Sequence, residues 1–119
     1  MAGCRIMLNG LMKFHPTQKK LTVAMEKSAT VFSAWDDDKL VGLISALDDS
    51  IMTAYVHFLL VNPDYQGKGI GTALLRMIAD KYKDYLRIVL VAYDDKIKFY
   101  QSGGFTLAKG TAALSINRF

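Results

Sequence analysis

The sequence predicts an α+β fold: a mixed, mostly antiparallel central sheet flanked by helices, in one domain spanning residues 1–119. Three observations carry this prediction. Residues 29–61 hold three β-rich runs separated only by Asp-rich turns. Residues 70–82 place apolar side chains at helical spacing. A further apolar β run, 87–93, then leads into a second short helical stretch and a closing β pair. After an N-terminal helix, the element order is β-β-β-α-β-α-β-β.

Each element has a local reason. Residues 1–14 are apolar and ambiguous, and 4–8 read as a short strand or as part of a helix. Residues 18–27 follow Pro16, which suits a first helical turn, and Leu21, Val23 and Met25 make an apolar side. Residues 29–35 and 40–47 form a hairpin around Asp36-Asp37-Asp38-Lys39; Asp favours such turns by local hydrogen bonding. Asp48-Asp49-Ser50 makes the next turn. Residues 52–61 are continuously apolar toward their end, as expected of a strand buried on both faces. In the following helix, Ile70, Ala73, Leu74, Met77, Ile78 and Tyr82 share one face, and Arg76, Asp80, Lys81 and Lys83 the other. Asp94 opens a short helix through Ser102, closed by Gly103-Gly104. Residues 105–107 and 111–119 read as closing strands around Lys109-Gly110.

Composition narrows the function classes. The chain is 51% hydrophobic and 22% charged, enough apolar material for one core. Its net charge of +4 comes from scattered lysines, which argues for a basic mouth facing an anionic ligand rather than a nucleic-acid stripe. A single cysteine, Cys4, excludes an internal disulfide framework and a multi-cysteine metal site. No metal is expected: the three aspartates at 36–38 are read as a solvated turn, because no calcium-loop glycine and glutamate follow. No apolar run reaches bilayer length, nor do the first residues match a cleavable or myristoylated leader, so a cytoplasmic location is expected. Glu26 is the one glutamate, and it lies in the N-terminal segment.

The most informative stretch is Val61-Asn62-Pro63-Asp64-Tyr65-Gln66-Gly67-Lys68-Gly69-Ile70-Gly71-Thr72. A β run enters it and a helix leaves it. Such a Gly-rich turn brings backbone N–H groups close to a ligand. The helix N-terminus adds unpaired donors and a partial positive charge. A ligand bearing a pyrophosphate is therefore expected. The Walker loop fails, because Gly67-Lys68 is followed by Gly69. The dinucleotide fingerprint also fails, because from Gly67 its third glycine would fall on Thr72. What remains is Q-x-x-G-x-G, here Gln66-Gly67-Lys68-Gly69-Ile70-Gly71.

That motif resembles the acetyl-CoA-binding motif of the GNAT superfamily of N-acetyltransferases. Leu60-Val61-Asn62-Pro63-Asp64-Tyr65 is similar to its usual lead-in, and Phe99-Tyr100-Gln101-Ser102-Gly103-Gly104-Phe105 is similar to the family's F-Y-x-x-x-G-F segment. The resemblance covers roughly residues 30–119. It implies a GNAT-like sheet, an acetyl-CoA-binding core over 29–119 and a shortened N-terminal region over 1–28. Family members begin with a strand and two helices, and by that measure this N-terminus is short by about one of each. An acceptor site that is open, or completed by a second subunit in a homodimer, would follow.

The resemblance also implies acetyl transfer from acetyl-CoA to an amine of a small molecule, peptide or protein. It implies that backbone N–H groups of Gly67, Lys68, Gly69, Ile70, Gly71 and Thr72 hold the pyrophosphate. Gln66 would frame the turn, Lys68 would add charge, and the Ile70 side chain would pack into the core. Leu59, Leu60 and Val61 would pair with the pantetheine amides as an added strand does. An N–H near Leu60 would stabilise the oxyanion; losing such a donor costs about 3 kcal/mol in other enzymes. Tyr100 would protonate the departing thiolate, since a phenol is protonated at neutral pH; Phe99 beside it suits the core. For the base, residues 52–61 contain no acid, only Tyr55 and His57, and a histidine titrates near neutrality. His57 is the candidate, beside its alternative as a structural strand residue. Asp48 and Asp49 could hold a cationic acceptor or be solvated turn residues. His15 and Cys4 suggest no role. A CoA-binding module without catalysis is the alternative function; a nucleotide or nucleic-acid binder is a third.

Overall fold

The computed structural model describes residues 4–8 and 19–118. Its elements are β1 (Cys4–Leu8), α1 (Lys19–Lys27), β2 (Thr30–Asp36), β3 (Lys39–Asp48), β4 (Thr53–Val61), α2 (Ile70–Lys81), β5 (Arg87–Leu90) and α3 (Ile97–Ser102), with 3-10 turns at Pro63–Tyr65 and Asp94–Lys96. The five strands form one sheet in sequence order. Pairs β1–β2, β2–β3 and β3–β4 are antiparallel, and β4–β5 is parallel, joined through α2 as a parallel pair requires. The expected mixed, mostly antiparallel sheet flanked by helices is what forms. No described helix is long and apolar enough to cross a membrane.

The sheet has a larger and a smaller covered face. On the larger, Phe32, Ala34, Ile44, Ala46, Ala54 and Val56 pack against Ile70, Leu74, Leu75 and Ile78 of α2, with Tyr82 just beyond it. Gly42 lies under α2, where a Cβ would come within 3.0 Å of Ile70 Cγ2, so its missing side chain sets how closely helix and sheet approach. On the smaller face, Met25 of α1 packs with Val31 and Leu43. Val23, expected with them, is exposed.

The structure corrects the sequence reading in four places. First, 4–8 is a strand paired with β2, so the opening strand expected to be missing is present. His15, Pro16 and the Leu21 side chain lie outside the described residues. Second, β4 is not buried on both faces along its length: Leu60 is exposed, because β5 leaves it at Val56. Third, Leu75, absent from the expected helix face, is buried. It takes the space left by Gly103, where a Cβ would come within 2.5 Å of Leu75 Cδ2. Fourth, residues 105–107 and 111–118 form no regular strands; a turn at Gly110 (φ +78°) leaves the segment exposed. Strand-forming side chains need a partner strand and a face to cover, and β5 is not given this segment as a partner.

Candidate active site

The site is built by what happens to β4 halfway along. From Ala54 to Val56 it pairs with β3 on one edge and β5 on the other. Beyond Val56 the β5 pairing stops, while the β3 pairing continues to Val61. The two parallel strands therefore splay, and among the described residues 57–61 keeps one edge clear of a partner strand. The bulge sits at the same point: Ala46 faces Val56 and Ser45 faces Phe58, so His57 is the extra residue. A bulge twists the strand and re-aims its side chains. Here the chain neighbours His57 and Phe58 lie with ring centroids 4.1 Å apart, and Tyr55 stands 5.9 Å from His57.

The wedge opens toward the Gly-rich loop. Asn62 anchors the loop: its N–H donates to Val41 O (2.8 Å), and its Oδ1 accepts from Asp64 N (2.9 Å). The Gln66 side chain donates back to Val61 O at 3.3 Å, closing the loop on the strand. Tyr65 ties it to the β2–β3 turn by donating to Asp36 Oδ2 at 2.5 Å. Lys39 and Lys68 place their ammonium groups 5.4 and 5.5 Å from the same Tyr65 ring. Gly67 and Gly69 take left-handed φ of +78° and +83°, with nothing within 4 Å of where a Cβ would stand. An open surface of turned-in amides results. The first intrahelical bond of α2 runs from Ala73 N to Gly69 O, so the amides before Ala73 have no helical acceptor. Gly71 is required for a different reason: Phe99 Cζ lies 3.3 Å from its would-be Cβ, packing α3 against the start of α2. Left-handed glycines, orphan amides and an unpaired strand edge fit a pyrophosphate followed by an extended diamide arm.

Tyr100 and His57 flank β4 from opposite sides. Tyr100, like Leu59 and Val61, packs against the larger core on the α2 face, and it is in edge contact with Phe99 (5.1 Å) and Phe105 (6.0 Å). Burial raises its pKa above the ordinary phenol value, which keeps the proton on the hydroxyl. His57 is exposed, among the rings of the other face. Phe99, read as core, packs against the larger core. Ile70 is buried as expected.

Of the two turn aspartates, Asp49 is exposed and Asp48 half-buried. Asp49 Oδ1 accepts from the amides of Ile51, Met52 and Thr53 at 3.0, 2.7 and 3.1 Å. These bonds, led by Met52, hold its pKa below the usual carboxylate range. Asp48 accepts from Ser50 N and, at 2.7 Å, from the Tyr82 hydroxyl, which also meets Thr30 Oγ1 at 2.7 Å. Both aspartates are committed to the sheet end opposite the loop. A cavity of about 450 Å³ lies along α2 between Phe32, Met77 and Lys81, and none of the loop, β4 or α3 residues lines it.

A mixed sheet splayed at a bulge, with a Gly-rich loop capping the next helix, is a scaffold suited to an extended, phosphate-bearing ligand. Comparison with known proteins gives the family. The acetyltransferase (GNAT) domain profile matches residues 8–112, and the chain belongs to this family. An uncharacterised N-acetyltransferase of Prochlorococcus marinus is 30% identical over 95 residues, covering 75% of this chain and 53% of its own length. The chain thus spans about half the length of the curated relatives it matches. A GNAT family acetyltransferase of Streptococcus pneumoniae superposes with a TM-score of 0.82 at 27% identity, covering 98% of this chain and 99% of that one. A GNAT acetyltransferase of Elizabethkingia anophelis, solved with acetyl-CoA bound, shares the fold with a TM-score of 0.73 at 19% identity, covering 92% of this chain and 80% of that one.

Proposed function

We propose that this chain is an acetyl-CoA-dependent N-acetyltransferase of the cytoplasm, moving an acetyl group to a primary amine of a small molecule, peptide or protein by direct attack on the thioester. One observation carries the reading: the splay of β4 from β5 begins at the His57 bulge and opens toward the Gly-rich start of α2. The names of its relatives, and the acetyl-CoA held by a structural neighbour, support it.

Acetyl-CoA, when bound, supplies an activated acetyl thioester. The rest is work for this chain's residues. The amides of 67–72 receive the pyrophosphate, with Lys68 as its counter-charge and Gln66 holding the loop closed. The clear edge at Leu59, Leu60 and Val61 receives the pantetheine amides, and an N–H near Leu60 donates to the carbonyl oxygen as negative charge develops there. The Tyr100 hydroxyl gives its proton to the departing sulfur from the α2 side. On the far side of β4, the His57 ring takes a proton from the incoming amine.

The second reading, a CoA-binding module without turnover, is favoured by the lack of any carboxylate on β4. Thermal unfolding with acetyl-CoA, CoA, ATP or NAD, followed by thiol release against an amine panel, separates the two. Ligand at about 100 times its dissociation constant stabilises by roughly 2.7 kcal/mol. A shift with acetyl-CoA plus thiol release is the expected result. A shift without release supports the module, and no shift with either CoA species overturns both.

A further inference from the structure

We infer that the acceptor is a small arylalkyl primary amine, a single ammonium on a ring-bearing apolar body. The inference rests on the transferase reading above and adds its substrate class. Tyr100 stands on the α2 face of β4, so the amine comes from the other face. Register and alternation give the side chains that face presents. Ala46 and Val56 pair and are buried under α2, so Leu47 and Tyr55, the next pair, point the other way. Phe58 pairs with Ser45 and packs against the Met25, Val31 and Leu43 cluster, and Leu60 pairs with Leu43. The strip is apolar and open: Leu47 is 43% exposed and Leu60 44%, while Tyr55 and Phe58 are half-buried.

The bulge gathers three rings in the middle of this strip. The His57 centroid lies 4.1 Å from that of Phe58 and 5.9 Å from that of Tyr55. Ring faces attract an ammonium, and they stack on a flat apolar body. A phenyl ring two carbons from its nitrogen spans such a spacing, so the nitrogen can stand at His57 while the ring lies on Phe58 or Tyr55. The step itself is unchanged. The N–C bond forms as the C–S bond breaks, the amine's proton leaves by His57, and the sulfur takes one from Tyr100.

Charge decides between amine classes. A polyamine or aminosugar carries several ammonium groups, and each one taken from water needs a carboxylate or another acceptor. β4 and β5 carry no acid. The two aspartates within the sheet, Asp36 and Asp48, are each engaged by a tyrosine hydroxyl, that of Tyr65 and that of Tyr82. Asp94 and Asp95 open the turn into α3, which packs on the α2 face. The first 25 residues of the sequence hold neither Asp nor Glu, and Glu26 is exposed on α1. A net charge of +4 repels polycations further.

The test pairs thiol release with saturation-transfer NMR on the CoA-loaded protein, using 2-phenylethylamine and spermidine as probes. The kcat/KM for 2-phenylethylamine should exceed that for spermidine by more than about tenfold, and only 2-phenylethylamine should receive saturation. Release with spermidine preferred overturns the acceptor class and leaves the transferase standing. Bound 2-phenylethylamine without release supports the ligand class of this face and overturns the transferase instead. Binding of neither probe overturns the inference. Phe58→Ala should raise KM for 2-phenylethylamine by up to about tenfold with kcat nearly kept. Should that variant not fold, Leu47→Glu decides, because it places a carboxylate at an exposed position across from Tyr55. It should move the kcat/KM ratio toward spermidine by up to about fivefold, with the melting shift given by CoA unchanged. A ratio that Leu47→Glu does not move overturns the placement of the amine on this face.

Discussion

The two halves of β4 share an apolar composition and differ in what flanks them. Residues Ala54 to Val56 lie between β3 and β5, and the Asp49 carboxylate caps the turn before them. Ala54 and Val56 are buried under α2. From His57 to Val61 the strand keeps only β3, and its side chains are half-buried or exposed. The first half is scaffold; the second is an edge made available by the first. One strand can do both because a bulge at His57 changes its twist at the boundary. If this division is correct, substitutions on the two sides should separate stability from turnover.

The largest separation is expected at Tyr100. Tyr100→Phe keeps the ring contacts with Phe99 and Phe105 and removes only the hydroxyl. Loss of a general acid lowers turnover by about 10²- to 10⁴-fold, while the melting-temperature shift given by CoA should stay. Because burial holds the hydroxyl protonated above its ordinary range, wild-type activity should not fall on the alkaline side until above pH about 10. An unchanged rate in the variant removes Tyr100 from the chemistry.

The converse belongs to Tyr82, on the scaffold end. Its buried hydroxyl bridges Thr30 and Asp48, joining α2's C-terminus to the starts of β2 and β4's turn. Tyr82→Phe leaves the buried Thr30 hydroxyl without this partner, which costs about 1–3 kcal/mol. CoA binding should not change. Burial first, and then the Asp48 carboxylate, push the Tyr82 pKa up to about 12 from 10. The folded state then holds a proton that the unfolded state releases, so the stabilisation is full below pH 10 and lost as pH rises through 12. Denaturation midpoints across that window should fall for wild type and flatten for Tyr82→Phe.

Much of this was legible where the determinant is local. The Gly-rich loop could be read from Gln66 to Thr72 because left-handed glycines and a helix start are set within a few residues. The helix face was read from spacing, apart from Leu75, whose burial depends on Gly103 at the end of another helix. The splay and the bulge were not legible. His57 is a bulge only relative to Ser45 and Ala46 on β3, a register that no single strand encodes. The Tyr82–Asp48 bond spans 34 residues, and turn chemistry alone left Asp48 looking solvated. Residues 111–118 failed as closing strands for the same reason: propensity names a strand but does not supply its neighbour.

A smaller effect distinguishes position from strain. Gly69 and Gly104 both take left-handed φ, +83° and +98°, with open space at the Cβ position. Alanine at either should cost about 1–2 kcal/mol of stability. Only Gly69→Ala should also weaken CoA affinity in titration calorimetry, because only Gly69 caps α2 at the Gly-rich loop proposed to receive the pyrophosphate. Equal losses of affinity at both sites would mean that the loop acts through general stability rather than through its amides.

The smallest structural effect, and the sharpest functional one, is expected at His57. The ring is exposed, so His57→Ala should change unfolding free energy by no more than about 0.5 kcal/mol. A residue at a bulge with so little to contribute to stability is free to be placed for chemistry. If His57 takes the proton from the amine, the variant should lose turnover at neutral pH and recover part of it with added imidazole, with CoA affinity unchanged. Full activity without rescue would leave the wedge and Tyr100 as sufficient, the proton passing to water. Either way Tyr55 and Phe58 should keep their places on β4, because the Ser45–Phe58 register sets the bulge without requiring the imidazole.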